Sequence, residues 1–372
     1  MAIGSGTLEA LVIKVDMNTQ TRPAADFWLG KRVLITGHTG FKGAWLALWL
    51  QRLGAEVIGI ALPAASAPNL FALLSDRPWM ASYHCDIRSA QALKTLVQAA
   101  LPDIVFHLAA QALVRESYRQ PLDTFATNVM GTANLLEAVV HTNSVRVAVM
   151  VTTDKVYKNQ EWTYPYREDD ALGGHDPYSA SKAASELVIA SYRSSFLGAA
   201  GVSVASARAG NVIGGGDWSA DRLLPDAVRA WQAGQPLVIR NPHATRPWQH
   251  VLDPLAGYLA LAQKIWTQPE LAGAYNFGPS THEVASVKKV VELARDRYGV
   301  GAIRFEGQSA APHEAHLLAL ETAKTRSLLG LHPRWALAES IGRTMDWYRA
   351  QYAGVDARVL CEDELVQFEV LT

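Results

Sequence analysis

From Lys31 the chain alternates short apolar runs with longer segments of helical apolar spacing. Arg32-Val33-Leu34-Ile35-Thr36 is a β-branched run of strand length, and Glu56-Val57-Ile58-Gly59-Ile60-Ala61 is a second. Between them a glycine turn leads into residues 44–53, whose apolar positions recur at helical intervals. The same reading places short strands at 83–85, 103–108, 145–152 and 202–207. It places helices at 89–100, 121–141 and 176–196. Strands separated by helices of these lengths predict βαβ units, a parallel sheet and right-handed crossovers that put helices on both faces. The expected class is α/β, a Rossmann-type doubly wound parallel sheet.

After about Gly210 the alternation breaks down. Gly214-Gly215-Gly216, several prolines and isolated tryptophans appear, with short strands at Leu237-Val238-Ile239 and Tyr275-Asn276-Phe277. This predicts a smaller mixed α/β C-terminal lobe over the carboxyl end of the sheet, where open α/β sheets bind ligands. The expected division is a leader over 1–26 that the fold does not need (Met17 being an alternative start) and a nucleotide-binding domain over 27–210. A substrate lobe follows over 211–356, with some segments returning to the first domain, and then a tail over 357–372.

Composition narrows the function. The chain has 372 residues, 49% of them hydrophobic, and a formal net charge of -1, so no global basic field draws nucleic acid or an acidic membrane. The two cysteines, Cys85 and Cys361, stand far apart and suggest no disulfide framework; a reducing cytoplasm is expected. No apolar run is long enough to span a bilayer, and no secretion signal is expected.

Candidate chemistry begins at Gly37-His38-Thr39-Gly40-Phe41-Lys42-Gly43, which follows the first strand and opens the first helix. Glycines let backbone approach a pyrophosphate, and the helix N-terminus offers unpaired N–H groups and partial positive charge. Placed in a βαβ unit, the motif points to a dinucleotide. His38 and Lys42 can add charge near the phosphates; alternatively Lys42 is a solvated helix-start residue. Asp86-Ile87 ends the third strand, where the carboxylate either accepts from an adenine amino group or caps the helix from Ser89. Leu108-Ala109-Ala110-Gln111 ends the fourth strand with small residues that leave room for a flat cofactor. Strand two ends Ile60-Ala61-Leu62-Pro63 without the acidic residue that usually holds the ribose, and without an arginine for a 2′-phosphate. NAD, weakly held, is the expected cofactor.

Tyr178 and Lys182 stand at i and i+4 on one helix face. A tyrosine ionises near pH ~10 when free, and a neighbouring ammonium with a cationic nicotinamide would make it a base near neutrality. The same spacing also occurs on solvated helix faces. Thr153-Asp154-Lys155 ends the fifth strand, so that Thr153 can donate to a sugar oxygen and Asp154 and Lys155 bring an acid and a base to the same cleft. Glycine loop, strand-end Thr-Asp-Lys and Tyr-x-x-x-Lys in this order point to an active site.

From Phe27 to Trp347 the sequence resembles the extended short-chain dehydrogenase/reductase superfamily, and within it is similar to the CDP-glucose 4,6-dehydratases. The likeness rests on the glycine loop, on Thr153-Asp154-Lys155-Val156-Tyr157, on the run from Ala207 to Trp218, on Arg246-Pro247-Trp248-Gln249-His250-Val251, and on Pro312-His313-Glu314-Ala315-His316-Leu317. It implies CDP-glucose as substrate, CDP-4-dehydro-6-deoxyglucose and water as products, and a role in deoxysugar supply for surface polysaccharide. The related dTDP-glucose dehydratases carry Glu where this chain has Lys155. Arg208, Asn211, Arg222, Arg240 and Arg246 are read as lying in loops of the second lobe, where arginine forks suit a diphosphate; singly, each arginine also reads as a surface salt bridge. By resemblance Asn211 and Arg246 are the best candidates. Trp218 and Trp248 either pack the lobe or line the sugar pocket. The His313–His316 spacing is not H-E-x-x-H, so no metal is expected. A sugar epimerase would share the fold but needs no acid to expel water; a non-catalytic NAD-binding protein could lose the Tyr/Lys pair. Helices 121–141 and 176–196 carry apolar or small residues on more than one face (Ala126, Val129, Met130, Ala133, Leu136; Ala183, Ala184, Leu187, Ile189), which predicts a homodimer.

Overall fold

The computed structural model describes residues 23–64, 66–75, 79–306 and 317–370. Seven parallel strands form the central sheet: β1 (Arg32–Thr36), β2 (Glu56–Ala61), β3 (Ala81–His84), β4 (Ile104–His107), β5 (Val147–Val151), β6 (Ser203–Ala209) and a last strand, Ala274–Phe277. Their spatial order is Ala274–Phe277, β6, β5, β4, β1, β2, β3. The order reverses between β1 and β4, where Val33 to Thr36 pair in register with Ile104 to His107. A crevice opens at the carboxyl ends of strands at such a point.

The central strands are apolar on both faces because helices cover both. Val33, Ile35, Phe106, Val149 and Ala207 enter one core, with Trp45 and Trp49 of helix Phe41–Arg52 and Leu255 and Leu259 of helix Leu252–Thr267. Their neighbours Leu34, Val105, Met150 and Val204 enter the other, with Leu93, Leu135 and Ile189 of the helices opposite. Period-two side-chain alternation divides each strand between the cores.

Two expected helices are more broken than their spacing suggests. The 121–141 segment runs as Pro121–Phe125, a π-helical turn Ala126–Met130, then Gly131–Val140. The 176–196 segment is helix Pro177–Tyr192 followed by a π turn, Arg193–Leu197. One inserted residue per π turn shifts the helix face, and apolar spacing does not register the shift.

The segments expected to return to the first domain are helix Leu252–Thr267 and strand Ala274–Phe277, which join its core and sheet. The domain division needs correction at two places. Residues 357–370 are no tail: helix Ala357–Val370 buries Cys361, Leu365 and Phe368, and Trp49 Nε1 donates to Glu369 at 2.8 Å. The expected leader lies outside the described residues up to 22, but from Pro23 the chain is part of the fold. Helix Ala25–Trp28 buries Trp28 completely, 6.1 Å from Phe106 ring to ring. The remaining lobe pairs Val212–Ile213 with Gln249–His250, Thr245–Arg246 with Ala285–Ser286, and Leu237–Ile239 with Ile303–Phe305. No helix among the described residues is long and apolar enough to cross a membrane.

Candidate active site

The cleft between sheet and lobe holds about 1180 Å³. That exceeds the upper end of ordinary single-ligand pockets, roughly 1,000 Å³, and leaves room for two ligands.

Its floor is the glycine loop. Gly37 takes φ +79°, and a side-chain carbon there would come within 2.7 Å of the Ala109 backbone nitrogen. At Gly43 the same carbon would meet the Gly37 carbonyl at 2.2 Å, whereas at Gly40 the nearest atom is 3.4 Å away. Gly40 is the N-cap of helix Phe41–Arg52, and no side chain caps that helix. Its first-turn N–H groups therefore stay available to an anion. Gly37, Thr39, Gly40, Phe41, Lys42 and Gly43 line the cleft. His38 does not. Its ring is fully buried beneath Gly59, bonded to Ser82 at 2.7 Å, and burial pushes its pKa down to about 4. The expected charge from His38 is corrected: the imidazole is neutral packing. Lys42 is not a solvated helix-start residue either. It faces the cleft, where burial and the cations Arg222 and Lys182 push its amino group down to about 7 against Asp154 and Asp217.

Further along the cleft stand Asp86 and Ile87, then Leu108, Ala109, Ala110 and Gln111. Asp86 does not cap the helix from Ser89. It is gripped by Arg88, whose guanidinium lies 2.7 Å away and holds the carboxyl below its usual range. Arg88 lines the cleft as well and was not singled out from the sequence. The two-residue spacing was its only signal.

Thr153, Asp154 and Lys155 leave β5 through a short 3-10 turn, Asp154–Val156. Thr153 Oγ1 donates to Asp154 Oδ1 at 3.0 Å, while Asp154 Oδ2 is buried without a hydrogen-bond partner. Burial raises the Asp154 pKa, with Lys155 the largest opposing influence. A carboxyl so placed keeps its proton more readily than an exposed one. Lys155 is half-buried at the cleft wall.

Tyr178 and Lys182 sit one turn apart on helix Pro177–Tyr192, started by Asp176, whose side chain accepts from the Ser179 N–H. Both are buried and both line the cleft. Burial raises the Tyr178 pKa; a Thr153 hydrogen bond and Arg222 pull it back, and Asp154 opposes them. The Lys182 ammonium, one of the two cations expected to favour the phenolate, donates to the Val151 carbonyl at 3.2 Å. Burial lowers Lys182 to about 8, with Glu186 holding it up.

Of the five substrate candidates, Asn211, Arg222, Arg240 and Arg246 line the cleft. Arg208 does not. It lies on β6 rather than in a loop, is 4% exposed, and pairs with Glu186 at 2.9 Å. Its other nitrogen donates to Tyr157 Oη at 3.0 Å and the Glu168 carbonyl at 2.8 Å, so it is corrected to a buried structural cation. Trp248 is buried with Nε1 donating to the Ala285 carbonyl at 3.1 Å, and Trp218 stacks edgewise on Trp347 and Tyr348; both also border the cleft. The His313–His316 segment lies outside the described residues.

Comparison with known proteins places this geometry. A family model described as GDP-mannose 4,6 dehydratase matches residues 34–344. The chain is 45% identical over 349 residues to CDP-glucose 4,6-dehydratase of Salmonella typhimurium, covering 92% of this chain and 97% of that one. It is 30% identical over 330 residues to dTDP-glucose 4,6-dehydratase of Streptomyces antibioticus, covering 85% and 92%. Among solved structures, dTDP-glucose 4,6-dehydratase from Streptomyces venezuelae with NAD bound superposes with a TM-score of 0.73 at 25% identity, over 87% of this chain and 98% of that one. UDP-glucose 4-epimerase of Thermus thermophilus in complex with NAD gives 0.75 at 24% identity over 86% and 99%, a likeness of fold. With a family model covering most of the chain and a relative this similar along nearly its whole length, the chain belongs to the family of nucleotide-sugar 4,6-dehydratases.

Proposed function

We propose that the chain is an NAD-dependent CDP-glucose 4,6-dehydratase, converting CDP-glucose to CDP-4-dehydro-6-deoxyglucose and water. The observation that carries the reading is Asp154, buried with Oδ2 lacking a hydrogen-bond partner and lining the same cleft as Tyr178. An epimerase has no hydroxyl to expel and no use for such an acid. The 45% identical relative supplies the nucleotide.

The residues present fit the cofactor: a glycine cradle that a side-chain carbon would fill, and an uncapped helix N-terminus behind it. Gly37, Thr39, Gly40, Phe41, Lys42 and Gly43 would hold the pyrophosphate, with Asp86 and Ile87 at the adenosine end. Leu108 to Gln111, Tyr178 and Lys182 would flank the nicotinamide half. When bound there, NAD would supply the hydride acceptor for the sugar oxidation and the hydride donor for the later reduction. Tyr178 takes the proton of the C4 hydroxyl, and Thr153 donates to the same oxygen. Once C4 is a ketone, the C5 proton is acidic; Lys155 stands where related dehydratases carry their base. Asp154 gives its proton to the departing C6 hydroxyl as water. Asn211, Arg222, Arg240 and Arg246 hold the diphosphate side. Incubation with CDP-glucose should yield a 4-keto-6-deoxy product, and no keto sugar from any nucleotide-glucose would refute the reading.

The enzyme works as a homodimer in the cytoplasm, supplying deoxysugars for surface polysaccharide. Support for the dimer is the solvent-exposed apolar set Leu122, Phe125, Met130 and Leu187 on the two helices named above, against which the described residues of this chain place no cover. Support for a reducing compartment is that Cys85 and Cys361 are both free and buried.

A further inference from the structure

Helix Pro177–Tyr192 carries a third buried polar residue in line with Tyr178 and Lys182. Glu186 lies one turn beyond Lys182 and is 4% exposed. Its carboxylate touches neither the cleft nor solvent, and the reaction as derived does not use it. Yet one of its bonds leads back to the strand end that carries the catalytic groups, and the others anchor it to β6. Oε1 accepts from Thr152 Oγ1 at 2.5 Å. Oε2 accepts from Ser206 Oγ at 2.7 Å and from Arg208 Nη2 at 2.9 Å. Thr152 immediately precedes Thr153, Asp154 and Lys155, and its own N–H is fixed to the Ala207 carbonyl at 2.9 Å.

The two halves of the catalytic machinery thus sit on different elements: acid and candidate base on the end of β5, phenol and ammonium on the helix. Lys182 joins them through the Val151 carbonyl at 3.2 Å. Further direct ties are the hydrogen bond between Thr153 and Tyr178 and the Thr152–Glu186 bond, and Arg208 anchors that carboxylate from β6. Charge-assisted bonds of this kind in a dry interior are short and directional.

We propose that Glu186 is a positioning residue of the reaction, fixing the strand end that carries Thr153, Asp154 and Lys155 against the helix face that carries Tyr178 and Lys182. The proposal rests on the dehydratase reading. Lys182 is faced by Tyr178 and Glu186 along its own helix, by His107 from β4, and by Lys42 from helix Phe41–Arg52. His107 is neutral, its pKa lowered to about 3 chiefly by burial, and Lys42 is a cation or neutral. Glu186 is therefore the anion that sustains the ammonium, although Arg208 shares its charge.

Two variants test this. Thr152→Val removes one bond while leaving Glu186 paired with Ser206 and Arg208. It should lower kcat by about tenfold, the factor that 1.4 kcal/mol of lost alignment gives, with KM for CDP-glucose within about twofold, and Thr152→Ser should restore most of the rate. Glu186→Gln keeps the shape and removes the charge. It should move the alkaline limb of both kcat/KM and NAD affinity to lower pH by at least about half a unit. Wild-type rates in Thr152→Val and an unmoved limb in folded Glu186→Gln would overturn the proposal. Should Glu186→Gln not fold, the Thr152 pair decides alone. A wild-type enzyme inert toward CDP-glucose would instead refute the function, and the pH profile of NAD binding would still judge Glu186.

Discussion

Asn128 bonds both backbone polar atoms of Gln111: its Oδ1 accepts from the Gln111 N–H at 2.8 Å, and its Nδ2 donates to the Gln111 carbonyl at 3.0 Å. The same amide reaches Ser181 Oγ at 2.9 Å, next to Lys182. Asn128 stands within the π turn Ala126–Met130, so the irregular turn ties the small-residue wall of the cleft to the catalytic helix. Removing the amide leaves buried backbone groups unpaired, each costing roughly 1–3 kcal/mol. Asn128→Ala should lose about that much stability in denaturant unfolding and bind NAD several-fold more weakly. Unchanged NAD affinity in the folded variant would show that the Gln111 strand end is set by something else.

Two of the loop glycines, Gly40 and Gly43, should separate by role. Gly43→Ala drives a carbon into the Gly37 carbonyl, so it should express poorly or melt early. Gly40→Ala meets only a 3.4 Å contact and should fold like the parent. Its added methyl would still occupy the space over the helix N-terminus where a pyrophosphate must approach. Isothermal titration should therefore show normal thermal stability with weakened NAD binding in Gly40→Ala. Parent-like affinity would argue against the pyrophosphate lying over that residue.

What could be read from the sequence was what local period encodes. β1 and β2 have the expected bounds because each is a short, mostly apolar run, entered through Arg32 and Glu56, whose later residues are mostly buried. The cleft residues after strands one, four and five were legible since chain order places strand ends together in a doubly wound sheet. Arg208 was misread because its partner Glu186 stands 22 residues earlier, on another element. Nothing in Ser-Ala-Arg-Ala tells a buried ion pair from a loop cation. His38 failed for a similar reason, as its fate is set by Gly59 and Ser82 on neighbouring strands. The helix over 357–370 shows a weak apolar stripe, yet Trp49 and Trp335 supply its partner surface at long range.

Association should be visible on helices Pro121–Phe125 and Pro177–Tyr192. Leu122 is 82% exposed and Leu187 63%, large apolar side chains that a lone chain leaves in water. Glutamate at both Leu122 and Leu187 should leave the sheet intact and give a single-chain mass in light scattering, where the parent gives twice that mass. A parent already monomeric at micromolar concentration would contradict the dimer.

On the proposed reading Asp154 and Lys155 divide the elimination between them, and the pH behaviour of Asp154 provides a check independent of turnover. Its folded pKa is raised by burial. For a group raised on folding, the folded state binds the proton more tightly, so its contribution to stability is present at low pH and is lost as pH rises through the folded value. The neutral isostere never carries that burden. Asp154→Asn should therefore be at least as stable as the parent at pH 7 to 8 while failing to expel water. Since Tyr178 and Lys182 remain, oxidation at C4 should still proceed, and the absorbance of reduced cofactor should build up on the enzyme. Tyr178→Phe should show no such signal. Lys155 is tested by a different bond. Acting as base, it must lose its proton for part of the time; a permanent ammonium could only steady the enolate. Lys155→Ala should then block exchange of the C5 proton with solvent deuterium even where C4 has been oxidised. C5 exchange at the parent rate in Lys155→Ala would remove it from the base role and leave Asp154 as acid with a base elsewhere in the cleft.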